Sequence, residues 1–587
     1  MKTLEITQMN TLGIVLGVIA AIILLAVIIT AAIFIKMKNA GICPLCAIKK
    51  YTIPRKITME IPEENYDNGV ALTPPMGWSS WNTFRQNIDQ DIILETAAAM
   101  KESGLIEAGY QYLNLDDCWH SSLRDEKGRL QGDLTTFPDG IGKLVKTVNA
   151  MGLKLGLYTS NGTLTCEDLP ASLGNEKIDA LTFAAWGAEF FKYDFCHNIP
   201  IPSYAPLIEG ISIARPGEKE ALFRYAKDAE FSGRAKIMKD DKLKSGAYIG
   251  FLGNGSGKAK FFVDVDTEGE HVLTLLIKKS LLKDKYLQVR INGTDTHEVF
   301  IPKTKAFSPS GRHQLVVKLR AGENSIELFN PVATKADSSF IQYQRMGNAL
   351  KWATSEVAKR TGREEKPIVF SICEWGRNSS WNWGAKAGNL WRTTPDIFAN
   401  WLSIMYIYNK TIRIGEHCGP GGWNDPDMLE VGNGKLTKAE NKAHFTLWCM
   451  MSAPLILGND LRTFLKKDGT VNEEDGVLKI ITNRDLIAID QDTLGISAKR
   501  IKSSLKRDIL AKPLSNGDIA VCFLAKSRRG CDIEFDINLL KAYECFDITP
   551  GCQYTARELW SGEEQNSSII RAAVEGHGCK VYRITKN

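Results

Sequence analysis

From residue 71 onward the chain repeats one unit: a short apolar run, an amphipathic stretch, then another apolar run. Trp78, Asp116, Tyr158 and Asp194 stand in or just after the first four runs, at intervals of about 40 residues. That interval fits a strand, a helix and two connections, so it predicts parallel strands joined by helices. The runs are Met76–Trp81, Tyr112–Leu115, Leu153–Tyr158, Phe190–Tyr193, Pro367–Cys373, Leu390–Thr393, Gly419–Trp423 and Ala453–Leu457, with amphipathic stretches such as Asp91–Ser103 and Gly142–Met151 between them. Eight runs predict a (β/α)8 TIM barrel. A doubly wound open sheet is the alternative, and the lack of a glycine-rich phosphate loop after the first run weakens its nucleotide-binding form.

The interval from Asp194 to Glu374 breaks the rhythm. Within 206–345, strand-like segments such as KAKFFVDVD, HVLTLLIKK and NSIELFN are separated by turns such as Asn292-Gly293, which predicts an inserted β-sandwich. The tail from 497 has the same habit. Asn516-Gly517-Asp518 lies between two apolar runs, a hairpin signal, so an antiparallel C-terminal β-domain is expected at 497–587. The barrel then takes 71–205 and 346–496.

The N-terminus is of another kind. Residues 12–35 carry no charge. As a helix they would span about 36 Å, enough for the roughly 30 Å core of a bilayer. This predicts a retained single-pass membrane anchor after an N-terminal tail, 1–11, with a linker at 36–70. Lysines and arginines after the span favour a cytoplasmic catalytic domain, whereas a glycan substrate favours the outside. Cys43 and Cys46 form a lone CPLC; with no second ligand pair it is a weak zinc candidate, and a membrane-proximal thiol pair or lipidation site is the other reading.

Charge excludes one class of partner. The 73 basic and 68 acidic residues leave +5, spread evenly, so no nucleic acid is expected. Chemistry concentrates where the strands end. The second run ends in Asp116-Asp117-Cys118-Trp119, the fourth in Lys192-Tyr193-Asp194, the fifth in Cys373-Glu374-Trp375 and the sixth in Arg392-Thr393-Thr394-Pro395-Asp396; the seventh carries Asn424-Asp425-Pro426-Asp427-Met428. One acid at a strand end is usually a helix cap. Acids on five ends, interleaved with Lys192 and Arg392, require a ligand or mutual pairing, because buried like charge is costly. Lys192 and Arg392 oppose a metal ion and no histidine cluster accompanies the acids, so no metal or cofactor is expected. A hydroxyl-rich ligand fits, and cleaving a sugar needs two carboxyl groups flanking the bond.

PPMGWSSWN (74–82), YLNLDDCW (112–119), LKLGLYTSNGTLTC (153–166), FKYDFC (191–196), SICEWG (371–376), WRTTPDI (391–397) and GPGGWNDPDML (419–429) together resemble glycoside hydrolase family 27, the α-galactosidase and α-N-acetylgalactosaminidase family. MSAPLILGNDLR and IAIDQDTLG continue the likeness. The insert is foreign to the usual pattern; its YAKDAEFSGRAKI looks like β-sandwich carbohydrate-binding modules.

The resemblance implies a retaining exo-α-galactosidase with Asp194 as nucleophile and Asp396 as general acid/base. It implies that Asp116 and Asp117 receive the 4- and 6-hydroxyls and Lys192 the 3- and 4-hydroxyls. Trp78 and Tyr158 would wall the pocket, Arg392, Asp427 and Met428 line its remaining side, and Glu374 meet the 2-position. Glu374 favours galactose over N-acetylgalactosamine, and Asp116 favours it over β-L-arabinopyranose. Cys166 and Cys196 match a disulfide of the family, with two reduced buried thiols as the other reading. Gly376-Arg377-Asn378 departs from the family pattern at the pocket rim. Trp381 and Trp383 are read either as a platform for the leaving group or as core. Glycan binding by the insert and homo-oligomerisation are further expectations. A non-catalytic sugar-binding protein is the alternative from another class, and the intact pair Asp194 and Asp396 speaks against it.

Overall fold

The computed structural model describes residues 56–587, apart from 219–220, 279–282, 304–310 and 550, together with six isolated positions between residues 21 and 31. The chain divides into two compact units, Met1–Arg55 and Lys56–Asn587. The first lies almost wholly outside the described residues, and with it Cys43 and Cys46.

The second unit is built on eight parallel strands: β1 (Met76–Ser79), β2 (Tyr112–Asn114), β3 (Lys154–Ser160), β4 (Phe190–Asp194), β5 (Val369–Ile372), β6 (Leu390–Arg392), β7 (Trp423–Asp425) and β8 (Leu455–Leu457). They pair in the order β7-β6-β5-β4-β3-β2-β1-β8. Leu429, just after β7, bridges in parallel to Leu457, and its N–H reaches Ile456 O at 2.7 Å, so the two ends of the sheet meet. This is a TIM-like sheet, and each strand overlaps a run expected from the sequence, β7 only at Trp423. The stretch 419–422 is consumed by a tight turn, Gly419 N–H to Gly422 O at 2.8 Å, and the strand begins at the last residue of the expected run.

Helices α1 (Gln90–Glu102), α2 (Ile141–Ala150), α3 (Glu176–Trp186), α4 (Lys335–Thr361), α5 (Trp401–Thr411) and α6 (Lys438–Met450) connect the strands. Side chains fix where they start. Asp89 accepts from Ile92 N–H ahead of α1, and Thr334 with Asp337 forms a reciprocal capping box ahead of α4. That box starts α4 at Lys335, ten residues inside the expected insert. Residues 56–70 differ from the expected linker too. Thr58 and Met59 donate backbone N–H groups to Asp337 Oδ1 at 2.7 and 3.0 Å, and buried Tyr66 reaches Gly347 O, so this segment straps across α4. Burial pushes the Asp337 carboxyl up, but those donors outweigh it and hold it below the usual range.

The insert forms two antiparallel sheets around their own apolar core. Leu207–Ala214, Gly269–Lys278 and Gly311–Leu319 lie in one, and Gly257–Val265, Lys285–Ile291 and Gly322–Phe329 in the other. Alternating burial along Gly257–Val265 places Ala259, Phe261 and Val263 in that core. Arg345 of α4 pairs with Glu176 of α3 at 3.2 Å and with Glu298 of the insert at 2.7 Å, joining insert to barrel. The tail folds as a six-stranded antiparallel sheet with a two-stranded companion. Its expected hairpin is present: Arg507–Pro513 pairs with Ile519–Ala525 across Gly517, at φ 87°. Buried Lys512 donates to Ser452 Oγ at 2.7 Å and ties this sheet to the barrel.

The expected membrane location is corrected. Among the described residues no helix is long and apolar enough to cross a membrane. The 27-residue α4 has the length, but it carries Lys335, Asp337, Arg345, Lys351, Glu356, Lys359 and Arg360. The span 12–35 lies outside the described residues but for the six isolated positions.

Strand β1 approaches β2 closely because Gly77 has no side chain; a Cβ there would lie 2.3 Å from Tyr112 O and 2.9 Å from its carbonyl carbon. Gly77→Ala should therefore destabilise the protein by about 2–3 kcal/mol in urea denaturation. A loss below about 0.5 kcal/mol would mean that the β1–β2 spacing is slacker than described.

Candidate active site

In a parallel barrel, side chains alternate between the interior and the surrounding helices, and loops after the strand ends carry the functional groups. On β4 this period sends Tyr193 outward to pack on Tyr343 of α4, rings 5.5 Å apart, and sets Lys192 and Asp194 on the other side. Lys192 Nζ donates to Asp116 Oδ2, at the end of β2, at 2.8 Å. It also lies 5.2 Å from the centre of the Tyr158 ring. Burial works against the ammonium, but the negative groups around it, Asp116 foremost and Asp194 with it, together outweigh burial and keep Lys192 protonated.

Asp194 is buried. Tyr158 Oη donates to its Oδ2 at 3.2 Å and Phe195 N–H to its Oδ1 at 2.8 Å. Burial raises its pKa above the ordinary 3.8; Lys192 opposes this, while Asp116 and Asp396 add to it. Asp117 turns towards the following loop, accepting from Cys118 and Glu167 N–H groups, and burial lifts it to about 6.

The β6 and β7 ends share one cation. Buried Arg392 holds Asp427 Oδ2 at 2.8 Å and Asp396 Oδ1 at 2.9 Å through the same nitrogen. The two acids differ in exposure: the Asp396 side chain is 66% exposed and that of Asp427 5%. Burial lifts Asp427 to about 7 against the pull of Arg392. For Asp396 burial also pushes upward, but Arg392 and Lys192 prevail and hold its carboxyl below 3.8. A cavity of about 40 Å³ lies among Ser79, Asp116, Lys192, Arg392, Asp427 and Met428. A larger one, about 410 Å³, is lined by Tyr66, Lys351 and Glu365, with Ile368 just ahead of β5; it sits at the opposite end of the strands, away from these groups.

Cys166 and Cys196 are joined as a disulfide, Cα atoms 5.2 Å apart. Its sulfurs lie within 4.8 Å of an Asp194 oxygen, so the bridge walls the site beside that carboxylate. The same three residues form the one group of His, Cys, Asp and Glu among the described residues that is close enough for a metal ion, and its sulfurs are already spent on each other.

Asp116, Tyr158, Lys192, Asp194, Arg392, Asp396, Asp427 and Met428 thus come together as the sequence led us to expect. Two expected contacts do not. Trp78 is fully buried and donates Nε1–H to Asn459 O at 2.8 Å. The half-buried tryptophan at this face is Trp81, in the helical turn Trp81–Phe84 after β1. Glu374 is likewise fully buried; both its oxygens accept from Asn378 N–H, at 3.0 and 2.8 Å, within its own loop. The group that reaches the cluster from this loop is the preceding Cys373, whose sulfur accepts from Arg392 Nη1 at 3.6 Å. Trp383 is core, while Trp381 is only partly buried. Asp425, also missed, is a half-buried acid at the end of β7 whose pKa desolvation raises against the pull of Arg392.

Burial raises Glu374 from 4.5 to about 7. A carboxyl whose folded pKa is raised binds an extra proton in the folded state between those values, so it costs stability as pH rises through that window. Glu374→Gln removes the titration. In urea denaturation at pH 5 and pH 8, the variant should gain about 2–3 kcal/mol relative to the parent at the higher pH. An unchanged difference would place Glu374 in contact with solvent or a cation.

A family model described as alpha galactosidase A matches residues 73–212 and 333–492, and another, described as alpha galactosidase C-terminal beta sandwich domain, matches 506–584. The gap between the first two segments falls on the insert. An alpha-galactosidase of Cyamopsis tetragonoloba is 30% identical over 522 residues, covering 88% of each chain. Alpha-galactosidase A of Cellvibrio japonicus is 30% identical, covering 88% of this chain and 93% of its own. Among solved structures, alpha-galactosidase I from Mortierella vinacea superposes with a TM-score of 0.60 at 26% identity, over 88% of this chain and 98% of its own. With the strand-end cluster in the order these matches require, the chain belongs to the α-galactosidase family, glycoside hydrolase family 27.

Proposed function

We propose that the protein is a retaining exo-α-galactosidase that removes terminal α-galactose through a covalent intermediate, with Asp194 as nucleophile and Asp396 as general acid/base. The observation that carries the reading is the pair itself: one buried carboxylate at the end of β4, one exposed carboxylate on the β6 loop, and each within the field of the other and of Lys192. Retention calls for about 5 Å between two such groups. Asp116, Asp117 and Lys192 would fix the sugar through its hydroxyls, and Cys373, rather than Glu374, would meet the 2-position. The division into a barrel (71–205 and 346–496), an insert (206–345) and a tail domain (497–587) goes with this reading, with the insert as a carbohydrate-binding-module-like accessory.

The chemistry asks for a proton on Asp396 and a charge on Asp194, against the direction in which their surroundings shift the two groups. Burial holds the Asp194 carboxyl above 3.8, while Arg392 and Lys192 hold that of Asp396 below it. A sugar that covers the exposed Asp396 strips its water and raises its pKa. Once Asp396 is neutral, its charge no longer opposes ionisation of Asp194. Asp194 then attacks the anomeric carbon as Asp396 protonates the leaving oxygen. Esterification removes the Asp194 charge, which lowers Asp396 again and suits it to activate water.

Alpha-N-acetylgalactosaminidase and β-L-arabinopyranosidase activities are the neighbouring readings. p-Nitrophenyl α-galactoside should be hydrolysed well above the corresponding α-N-acetylgalactosaminide and β-L-arabinopyranoside, with α-galactose as first product by NMR. Asp194→Asn should lower kcat by roughly a thousandfold or more. A β-configured first product, or an Asp194→Asn variant with near-parental kcat, would remove the mechanism. Because free Asp194 titrates above 3.8, the acidic limb of kcat/KM should lie above that pH, with activity rising as pH increases through it.

A further inference from the structure

Two arginines at the C-terminal face are held by aromatic rings rather than by acids. Arg85 closes the turn after β1, with its guanidinium carbon 5.6 Å from the Trp81 ring centre. Arg377 follows β5, its guanidinium carbon 4.5 Å from the Trp375 ring. Both side chains are exposed, and among the described residues neither guanidinium makes an ion pair or hydrogen bond. In the strand order, β1 and β5 stand opposite each other, three strands apart by either route. The two cations therefore flank the mouth from opposite sides.

Backbone strain accompanies both. Arg85 adopts φ 53°, ψ −126°, and Trp375 adopts φ 55°, conformations that side chains with a Cβ avoid. Strain of this kind persists where surrounding structure enforces it, and it clusters at ligand clamps. For Arg85 the enforcing contacts are visible. Asn82 donates to Glu430 Oε1 at 2.5 Å, tying the turn to the loop that carries Asp427, and Thr83 donates to Gly458 O at 2.7 Å, tying it to the end of β8. Arg392 links Asp427 to Asp396, and Arg85 is one of the charges that hold Asp396 ionised. Arg85 is thus on the Asp396 side of the mouth, where the leaving group departs. The acids of the same rim are engaged elsewhere: Glu167 with Gln86 at 3.0 Å, Asp168 with His197 at 3.0 Å, and Glu430 with Asn82 and Asn433.

We propose that Arg85 and Arg377 grip the leaving group, and that the preferred leaving group is an anionic saccharide bearing a carboxylate or a sulfate. This rests on the hydrolytic reading above. A guanidinium braced on a ring presents a planar fork of donors that matches either anion, and the ring beneath offers an apolar face to the sugar that carries it. A neutral leaving group would use the rings but leave both charges on water.

The test compares kcat/KM for three α-galactosyl disaccharides, with a neutral sugar, a uronic acid or a sulfated sugar as leaving group, using the full chain. The parent protein should prefer one or both anionic substrates at low ionic strength, and the better arm identifies the anion. Arg85→Gln and Arg377→Gln should each lower the anionic-to-neutral ratio roughly threefold; Arg85→Lys and Arg377→Lys should retain part of it, and added salt should reduce it in the parent. A parental ratio at or below one in both anionic arms, or a ratio that neither glutamine variant moves, would overturn the proposal. Failure to hydrolyse any α-galactoside would instead overturn the function on which it stands.

Discussion

The site depends on one buried cation. Arg392 is almost wholly enclosed, yet it faces Asp427 and Asp396, with Asp425 adding to its field. Without it, the ends of β6 and β7 would bring acids together in a space too dry to ionise them, and the loops carrying them would have no reason to converge. A broken buried ion pair costs several kcal/mol, whereas a complete one is near neutral. The value of Arg392 therefore lies less in stability than in placement: it fixes an exposed carboxylate against a buried one. Lys192 plays the matching part for β2 and β4, through Asp116 and the field it exerts on Asp194.

This arrangement sets the direction of the chemistry. The cations hold the Asp396 carboxyl below 3.8, and burial makes Asp194 reluctant to ionise. Under the proposed function, the substrate itself inverts that order by covering Asp396. A protonated acid then exists mainly when there is a glycosidic oxygen to receive the proton, which couples catalysis to occupancy without a moving lid. The Cys166–Cys196 bridge beside Asp194 stiffens the wall against which this happens.

Much of this was legible in the sequence, for physical reasons that differ from element to element. The strands could be found because a buried parallel strand needs a short apolar run, and the acids at their ends stood out because like charge is not buried idly. The insert and the tail hairpin announced themselves through period-two alternation and an Asn-Gly turn. Trp78 and Glu374 went astray because motif proximity does not set side-chain direction. Trp78 lies in the strand on the face opposite Ser79, packed on Phe84, while Trp81 in the next turn is half-buried; after β5 it is Cys373 whose sulfur reaches Arg392. The docking of residues 56–70 on α4 was hidden because Asp337, far away in sequence, collects the donors of Thr58 and Met59. No local pattern reveals a partner 279 positions away.

The central claim is that Asp194 forms the bond to the sugar. Reaction with an activated 2-deoxy-2-fluoro-α-galactosyl fluoride, followed by peptide mass spectrometry, tests it directly. The account predicts a single galactosyl adduct on the peptide containing Asp194. An adduct on Asp396 or Asp427, or turnover of the reagent with no covalent species and a β-configured product, would contradict it.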